Sequence, residues 1–117
     1  MKKTITTEKL KSLRKGTEGF VLIDVLPASE FELDHIPGAR NVPVDTFDFA
    51  KAVADKSAGS KTRKVVLYGR GRNCDAAARG VRLLATARFT NVTEYEGGLA
   101  AWNESKRARL GAATKPQ

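Results

Sequence analysis

Cys74 is the only cysteine in the 117-residue chain, and five residues rich in glycine and arginine precede it. The run Val65 to Ala78 reads VVLYGRGRNCDAAA. Its apolar start breaks into Gly69, Arg70, Gly71, Arg72 and Asn73, and Cys74 then stands where a helix would begin. A strand–loop–helix corner of this kind collects backbone N–H groups that point at one spot and favour negative charge there. A thiol at that spot is suited to act as a nucleophilic thiolate, with the helix start, Arg70 and Arg72 offsetting its charge. Asp75 works against a thiolate at close range, although it favours the helix start. Two other readings of Cys74 stay open: a small, inert residue packed under the loop, or a thiol that is reversibly oxidised. Arg70 and Arg72 are either anion-binding or simply solvated.

Spacing excludes several better-known loops. A P-loop needs Gly-x4-Gly-Lys-Ser/Thr, and no lysine follows these glycines. A dinucleotide fingerprint would put a third glycine where Cys74 stands. Glu94 lies about where its ribose-binding acid would be wanted, but the rest of such a domain does not fit after it. A Cys-x5-Arg phosphatase loop fails because Arg79 follows Cys74 after four residues. One cysteine forbids an internal disulfide, and with His35 the only histidine a metal centre is not expected. His35 reads as the holder of its Pro-Gly turn rather than a base, and Trp102 as core. Asp24 is a strand-end acceptor or a site residue.

The elements that must position this loop alternate in type. Thr6 or Thr7 caps a first helix running to about Lys15, with Leu10 and Leu13 inside and Gly16 as the stop. Phe20 to Val25 is a continuous apolar run, as in a buried strand of a parallel sheet. A short helix follows Pro27 and contains Phe31 and Leu33. After the turn His35 to Ala39 comes a short strand over 40–42. A helix from Asp45 or Thr46 takes Phe47, Phe49, Ala50, Val53 and Ala54 as its apolar positions. Val65 to Tyr68 is the second strong strand, and an amphipathic helix is expected from about Cys74 to Ala87. A strand over 91–95 and a helix after Gly97-Gly98, carrying Leu99 and Trp102, complete the domain. This order predicts an α/β sandwich on a parallel sheet, with ligands beyond the strand carboxyl ends, where Asp24 and the loop after Tyr68 both lie.

Length and composition suit one soluble domain, residues 1–106, followed by a basic, flexible tail over 107–117. No apolar run approaches a membrane span, and the opening MKKTITTEKLK lacks the apolar region of a signal peptide, so a cytoplasmic protein is expected. The net charge of +8 fits a solvated surface or attraction of a small anion through the loop arginines. No aromatic-rich binding motif or zinc-finger spacing accompanies it, which speaks against nucleic acid.

The segments LIDV at 22–25, Glu30-Phe31, HIPGA at 35–39, Asn41-Val42-Pro43, VVLY at 65–68 and EGGLAAW at 96–102 occur in that order. Together, from Leu10 to Trp102, they resemble the single-domain rhodanese (sulfurtransferase-like) family. The resemblance implies a three-layer α/β/α sandwich around a mostly parallel sheet of about five strands. It also implies transfer of sulfane sulfur, without a cofactor, from thiosulfate or a persulfide to a thiol, including a protein thiol. The family's nucleophilic cysteine directly follows the central strand, where this chain has Gly69. A subset of the family reads Cys-x-Gly-Pro-x-Cys-Asn. Against it Gly71 keeps the glycine, Arg72 replaces proline, Cys74 matches the second cysteine and Asp75 replaces asparagine. Asp24-Val25-Leu26 stands where the family commonly has Asp-Val-Arg. The site implied is Cys74 as the sulfur carrier, with Gly69, Arg70, Gly71, Arg72, Asn73, Asp75 and Asp24 around a small sulfur-containing anion. The alternative is a catalytically inactive module that senses an anion or binds a protein.

Overall fold

Strands and helices alternate along the computed structural model, which describes the backbone of residues 3–114 and the side chains of residues 3–108. The order is α1 (Thr7–Lys15), β1 (Phe20–Asp24), α2 (Ala28–Leu33), β2 (Arg40–Asn41), α3 (Phe49–Lys56), β3 (Lys64–Tyr68), α4 (Ala76–Thr86), β4 (Val92–Tyr95) and α5 (Gly98–Thr114). The sheet runs β2-β1-β3-β4 with every pair parallel. Because strand side chains alternate between faces, Val21, Ile23, Val65 and Leu67 pack against Phe49 and Val53 of α3 and Ala77 and Leu84 of α4. Leu22, Val66, Tyr68 and Tyr95 face the other way, onto Leu10 and Leu13 of α1 and Trp102 of α5. Both faces are covered, which is why β1 and β3 read as unbroken apolar runs instead of alternating. Among the described residues no helix is long and apolar enough to cross a membrane.

The α/β/α layers agree with expectation, but the sheet has four strands rather than about five. The place beside β4 is held by a single bridge from Thr4 to Glu94, with Ile5 N–H on the Glu94 carbonyl at 3.0 Å. Thr6 ends this pairing at once. Its hydroxyl accepts from Lys9 N–H at 3.1 Å and starts α1, so the chain leaves the ladder after one residue.

Three helix boundaries differ from the periodic reading. The helix expected from Asp45 or Thr46 begins only at Phe49, after Asp48 takes a left-handed φ of 52° and caps it. Phe47, expected on its apolar face, is 96% exposed. Leu33 ends the six-residue α2 and is 87% exposed, with no further turn to carry it inward. Cys74 lies before α4 instead of inside it, because its N–H closes a turn onto the Gly71 carbonyl at 3.1 Å. At the far end the backbone stays helical past Arg107 to Thr114, where a tail was expected; residues 115–117 lie outside the described residues.

The carboxyl ends of β1 and β3 are tied by polar groups. Asp24 and Tyr68 are register partners on one face, both fully buried. The Asp24 carboxylate accepts from Leu26 N–H at 2.9 Å, and the Tyr68 hydroxyl accepts from Ile36 N–H at 3.0 Å. The Asn41 amide bridges the carbonyls of Asp24 and Leu26 at 3.0 and 2.9 Å. Burial pushes the Asp24 carboxyl above its ordinary 3.8, partly offset by the Leu26 N–H and the Tyr68 hydroxyl. Burial likewise raises the Tyr68 hydroxyl.

The native state thus holds the Asp24 proton to higher pH than the unfolded chain does. Its contribution to stability is full below pH 3.8 and is lost as pH rises through the raised native value. Asp24→Asn keeps an acceptor for Leu26 N–H and carries no charge. Its stability relative to the native chain is expected to climb across that window, read by urea unfolding at a series of pH values. A difference that stays flat with pH would show that Asp24 ionises normally.

Candidate functional site

The loop after β3 is held by the start of α5. The first N–H groups of a helix have no acceptor inside it, and here Leu99 N–H donates to the Gly69 carbonyl at 3.0 Å and Ala100 N–H to the Arg70 carbonyl at 2.9 Å. So close an approach leaves no room for side chains. A Cβ on Gly98, whose φ is +62°, would lie 2.5 Å from the Gly69 oxygen and 2.8 Å from the Gly71 nitrogen. A Cβ on Gly97 would lie 2.5 Å from that of Ala101. Of the Gly-Gly pair expected to turn the chain, Gly98 also lets the loop dock, while Gly97 leaves room for Ala101 and Tyr95.

From Gly71 the turn closed by Cys74 N–H folds the chain back on itself. The half-buried thiol ends up over Gly69: a Cβ on residue 69 would stand 3.4 Å from Cys74 Sγ and 3.8 Å from the Ala77 nitrogen. Five residues of separation have closed to one van der Waals contact. Asp75 is the N-cap of α4, but its side chain makes no capping bond. Arg79 N–H to the Asp75 carbonyl at 2.9 Å is the first bond of the helix, so the N–H groups of Ala76, Ala77 and Ala78 have no acceptor within it. They lie at the end of the helix nearest the thiol.

Cys74 opens on a cavity of about 270 Å³ lined also by Arg72, Asn73, Asp75, Ala78, Glu94 and Glu96. Arg72 and Glu96 also line a neighbouring cavity of about 410 Å³ toward Thr6 and Tyr95. Arg72, Asn73, Cys74 and Asp75 are therefore brought together as expected, with Gly69 against the sulfur. Arg70 points elsewhere. Its guanidinium grips Glu30 of α2, with Nη2 2.7 and 2.8 Å from the two carboxylate oxygens and Nε at 3.0 Å. That bond and the charge of Glu30 hold the guanidinium above its ordinary value. Asp24 lies buried at the end of β1 and does not line the Cys74 cavity. His35 stacks on Phe31 with centroids 3.7 Å apart and its Nδ1 lies 2.7 Å from the Phe31 carbonyl, so it is tied back to α2; the carbonyl of Pro37 in the Pro-Gly turn is held by Arg14 instead. Glu96 and Ala78 were not singled out from the sequence. Both follow the rule that ligand sites lie beyond parallel strand ends, Glu96 after β4 and Ala78 in the first turn of α4.

Three comparisons place this geometry among known proteins. A family model described as a rhodanese-like domain matches residues 6–105. The adenylyltransferase and sulfurtransferase MOCS3-2 of Zea mays is 33% identical over 103 residues, which make up 86% of this chain and 21% of that protein. The chain thus spans about a fifth of the length of the first such relatives. The YqhL protein of Bacillus subtilis is 32% identical over 110 residues, 92% of this chain and 77% of that one. Among solved structures, the rhodanese-like domain of the Alr3790 protein from Anabaena is 34% identical with a TM-score of 0.75, covering 90% of this chain and 76% of that chain.

The two glycines that meet across the clamp are expected to tolerate substitution very differently. Gly98→Ala combines a left-handed φ with a clash against backbone atoms and should cost about 3 kcal/mol or more. Gly69→Ala meets only an ordinary contact with Cys74 Sγ and should cost about 1 kcal/mol or less. Thermal and urea unfolding of the two variants, with equal losses as the contrary result, decide this.

Proposed function

The chain belongs to the rhodanese-like domain family, and from that premise we propose that it transfers sulfane sulfur, with Cys74 as the carrier and loop 69–75 as the seat of the sulfur donor. The observation that supports this is the 3.4 Å between Cys74 Sγ and the Cβ position of residue 69, the place where the family resemblance puts its nucleophile. On this reading the thiol has moved along the sequence and returned to within van der Waals contact of that position.

The step is a displacement at sulfur. The Cys74 thiolate attacks the outer sulfur of thiosulfate, or of a persulfide. A new S–S bond forms as the donor's own S–S bond breaks, and sulfite from thiosulfate, or the donor thiolate from a persulfide, leaves with the electron pair. The Cys74 persulfide then gives its outer sulfur to an acceptor thiolate, which regenerates Cys74 as thiolate. The first-turn N–H groups of α4 and the Arg72 guanidinium offset the negative charge carried through both steps. Arg70, paired with Glu30, instead fastens the loop to α2.

A second reading rests on Gly69 and on that Arg70–Glu30 pair. With the family's cysteine replaced and one loop arginine engaged, the domain would hold an anion or a partner protein without turnover. Incubation with thiosulfate or polysulfide separates the two. Sulfur transfer requires a mass gain of one sulfur atom on the intact protein, absent in Cys74→Ala, together with a loss of transfer rate of about 100-fold or more in that variant. Gly69→Cys placed in the Cys74→Ala background should restore the adduct, because the new thiol starts from the same place. An unmodified native protein whose thiol also alkylates slowly at neutral pH would leave the binding reading.

A further inference from the structure

Away from the loop, α1 and α5 enclose a cavity of about 310 Å³ lined by Lys11, Arg14, Lys15, Trp102 and Lys106. Four of these five side chains are cations and none is an acid. Helix electrostatics explains only a part of this. Arg14 and Lys15 end α1, where the macrodipole presents about half a negative charge. Lys11 sits in mid-helix, and Lys106 comes from the other helix. Among the described residues no carboxylate pairs with any of the four; the nearby Glu104 is turned to Arg107 at 2.8 Å.

Two of the cations are already fixed in place. The Arg14 guanidinium lies over the Trp102 ring, 5.1 Å from its centroid, and donates to the Pro37 carbonyl. Lys11 Nζ donates to the Ser105 hydroxyl. Trp102 is nine-tenths buried, and its indole N–H has no acceptor among the described residues. The cavity therefore offers several pre-oriented donors and concentrated positive charge, and the described residues that line it supply no counter-charge.

We infer that this cavity binds a compact oligophosphate, as free pyrophosphate or as the phosphate chain of a nucleotide. Four cations around one small volume call for an anion of comparable charge density. Each phosphate group brings about −1.5 to −2 and three acceptor oxygens. Single-stranded nucleic acid suits the cavity less. It needs open aromatic faces for base stacking, whereas the Trp102 ring is buried and covered by Arg14. The site is independent of the sulfur chemistry: Lys106 lies eight residues along α5 from Gly98, about 12 Å at 1.5 Å per residue.

Trp102 is the only tryptophan, so its emission reports on this cavity. Pyrophosphate, ATP and a single-stranded oligonucleotide are titrated separately into the full chain at constant ionic strength. A saturable change with pyrophosphate is expected, weakened about tenfold or more in Lys15→Gln/Lys106→Gln, two exposed positions whose change leaves the fold intact by circular dichroism. ATP binding as tightly as pyrophosphate assigns the site to nucleotide phosphates, and weaker ATP binding assigns it to the free anion; both support the inference. A non-saturating signal, an unchanged Kd in the double variant, or tighter, steeply salt-dependent oligonucleotide binding would overturn it.

Discussion

The donation of α5's first N–H groups to the loop after β3 is the constraint on which the candidate site depends. A buried helix start must find acceptors for its N–H groups, and a tight loop must find donors for its carbonyls. Leu99 and Ala100 meet both needs with the carbonyls of Gly69 and Arg70. Each such bond contributes about 1 kcal/mol net, and leaving either partner unsatisfied would cost at least as much. The contact exists only because Gly98 has no Cβ. Once Gly69 and Arg70 are held, the turn from Gly71 to Cys74 has little choice of path and brings the sulfur back over Gly69. The start of α5 is thereby occupied by the protein itself, and the start of α4 is the one beside the thiol.

Much of the fold was legible in the sequence because burial on both sides of a parallel sheet leaves a strong trace. Residues 20–23 and 65–68 are apolar without alternation, and each run is covered on both faces. The misreadings have local causes. Phe47 fits a helical spacing with Ala50 and Ala54, but periodicity cannot register that Asp48 takes a left-handed backbone and starts the helix after Phe47. The missing fifth strand turns on one hydroxyl, since the cap at Thr6 competes with further pairing along β4. Arg107 looked like the start of a tail on composition, yet α5 continues through the alanine-rich stretch to Thr114, as good helix-forming residues allow.

Part of the lining of the Cys74 cavity was legible in the sequence, and its distances were not. Arg72, Asn73, Cys74 and Asp75 are contiguous, so finding one finds all four. Nothing in the spacing reveals that Cys74 Sγ returns to Gly69, because that depends on a clamp from a helix almost thirty residues downstream. Counted along the chain, the cysteine is displaced from the family's position. Measured across the loop, it is a neighbour of that position. The Gly97-Gly98 pair was visible as a turn, and the second role of Gly98 needs the packing to be seen. Arg70 is the converse case: side by side with Arg72 in sequence, it is drawn away by a carboxylate forty residues earlier.

These placements separate the basic character of the chain from the cavity at Cys74. A net charge of +8 with two arginines in the loop suggests that the surplus serves the anion at Cys74. The cavity at the thiol, however, sets Arg72 among Asp75, Glu94 and Glu96, while Arg70 is paired with Glu30. Cations without carboxylate partners gather instead between α1 and α5. Beside the thiol, the N–H groups that start α4 supply positive charge at short range, where salt screens little. The cavity between α1 and α5 has four cations and no acid in its lining, so a diffusing anion meets a more uniformly positive surface there than at the thiol.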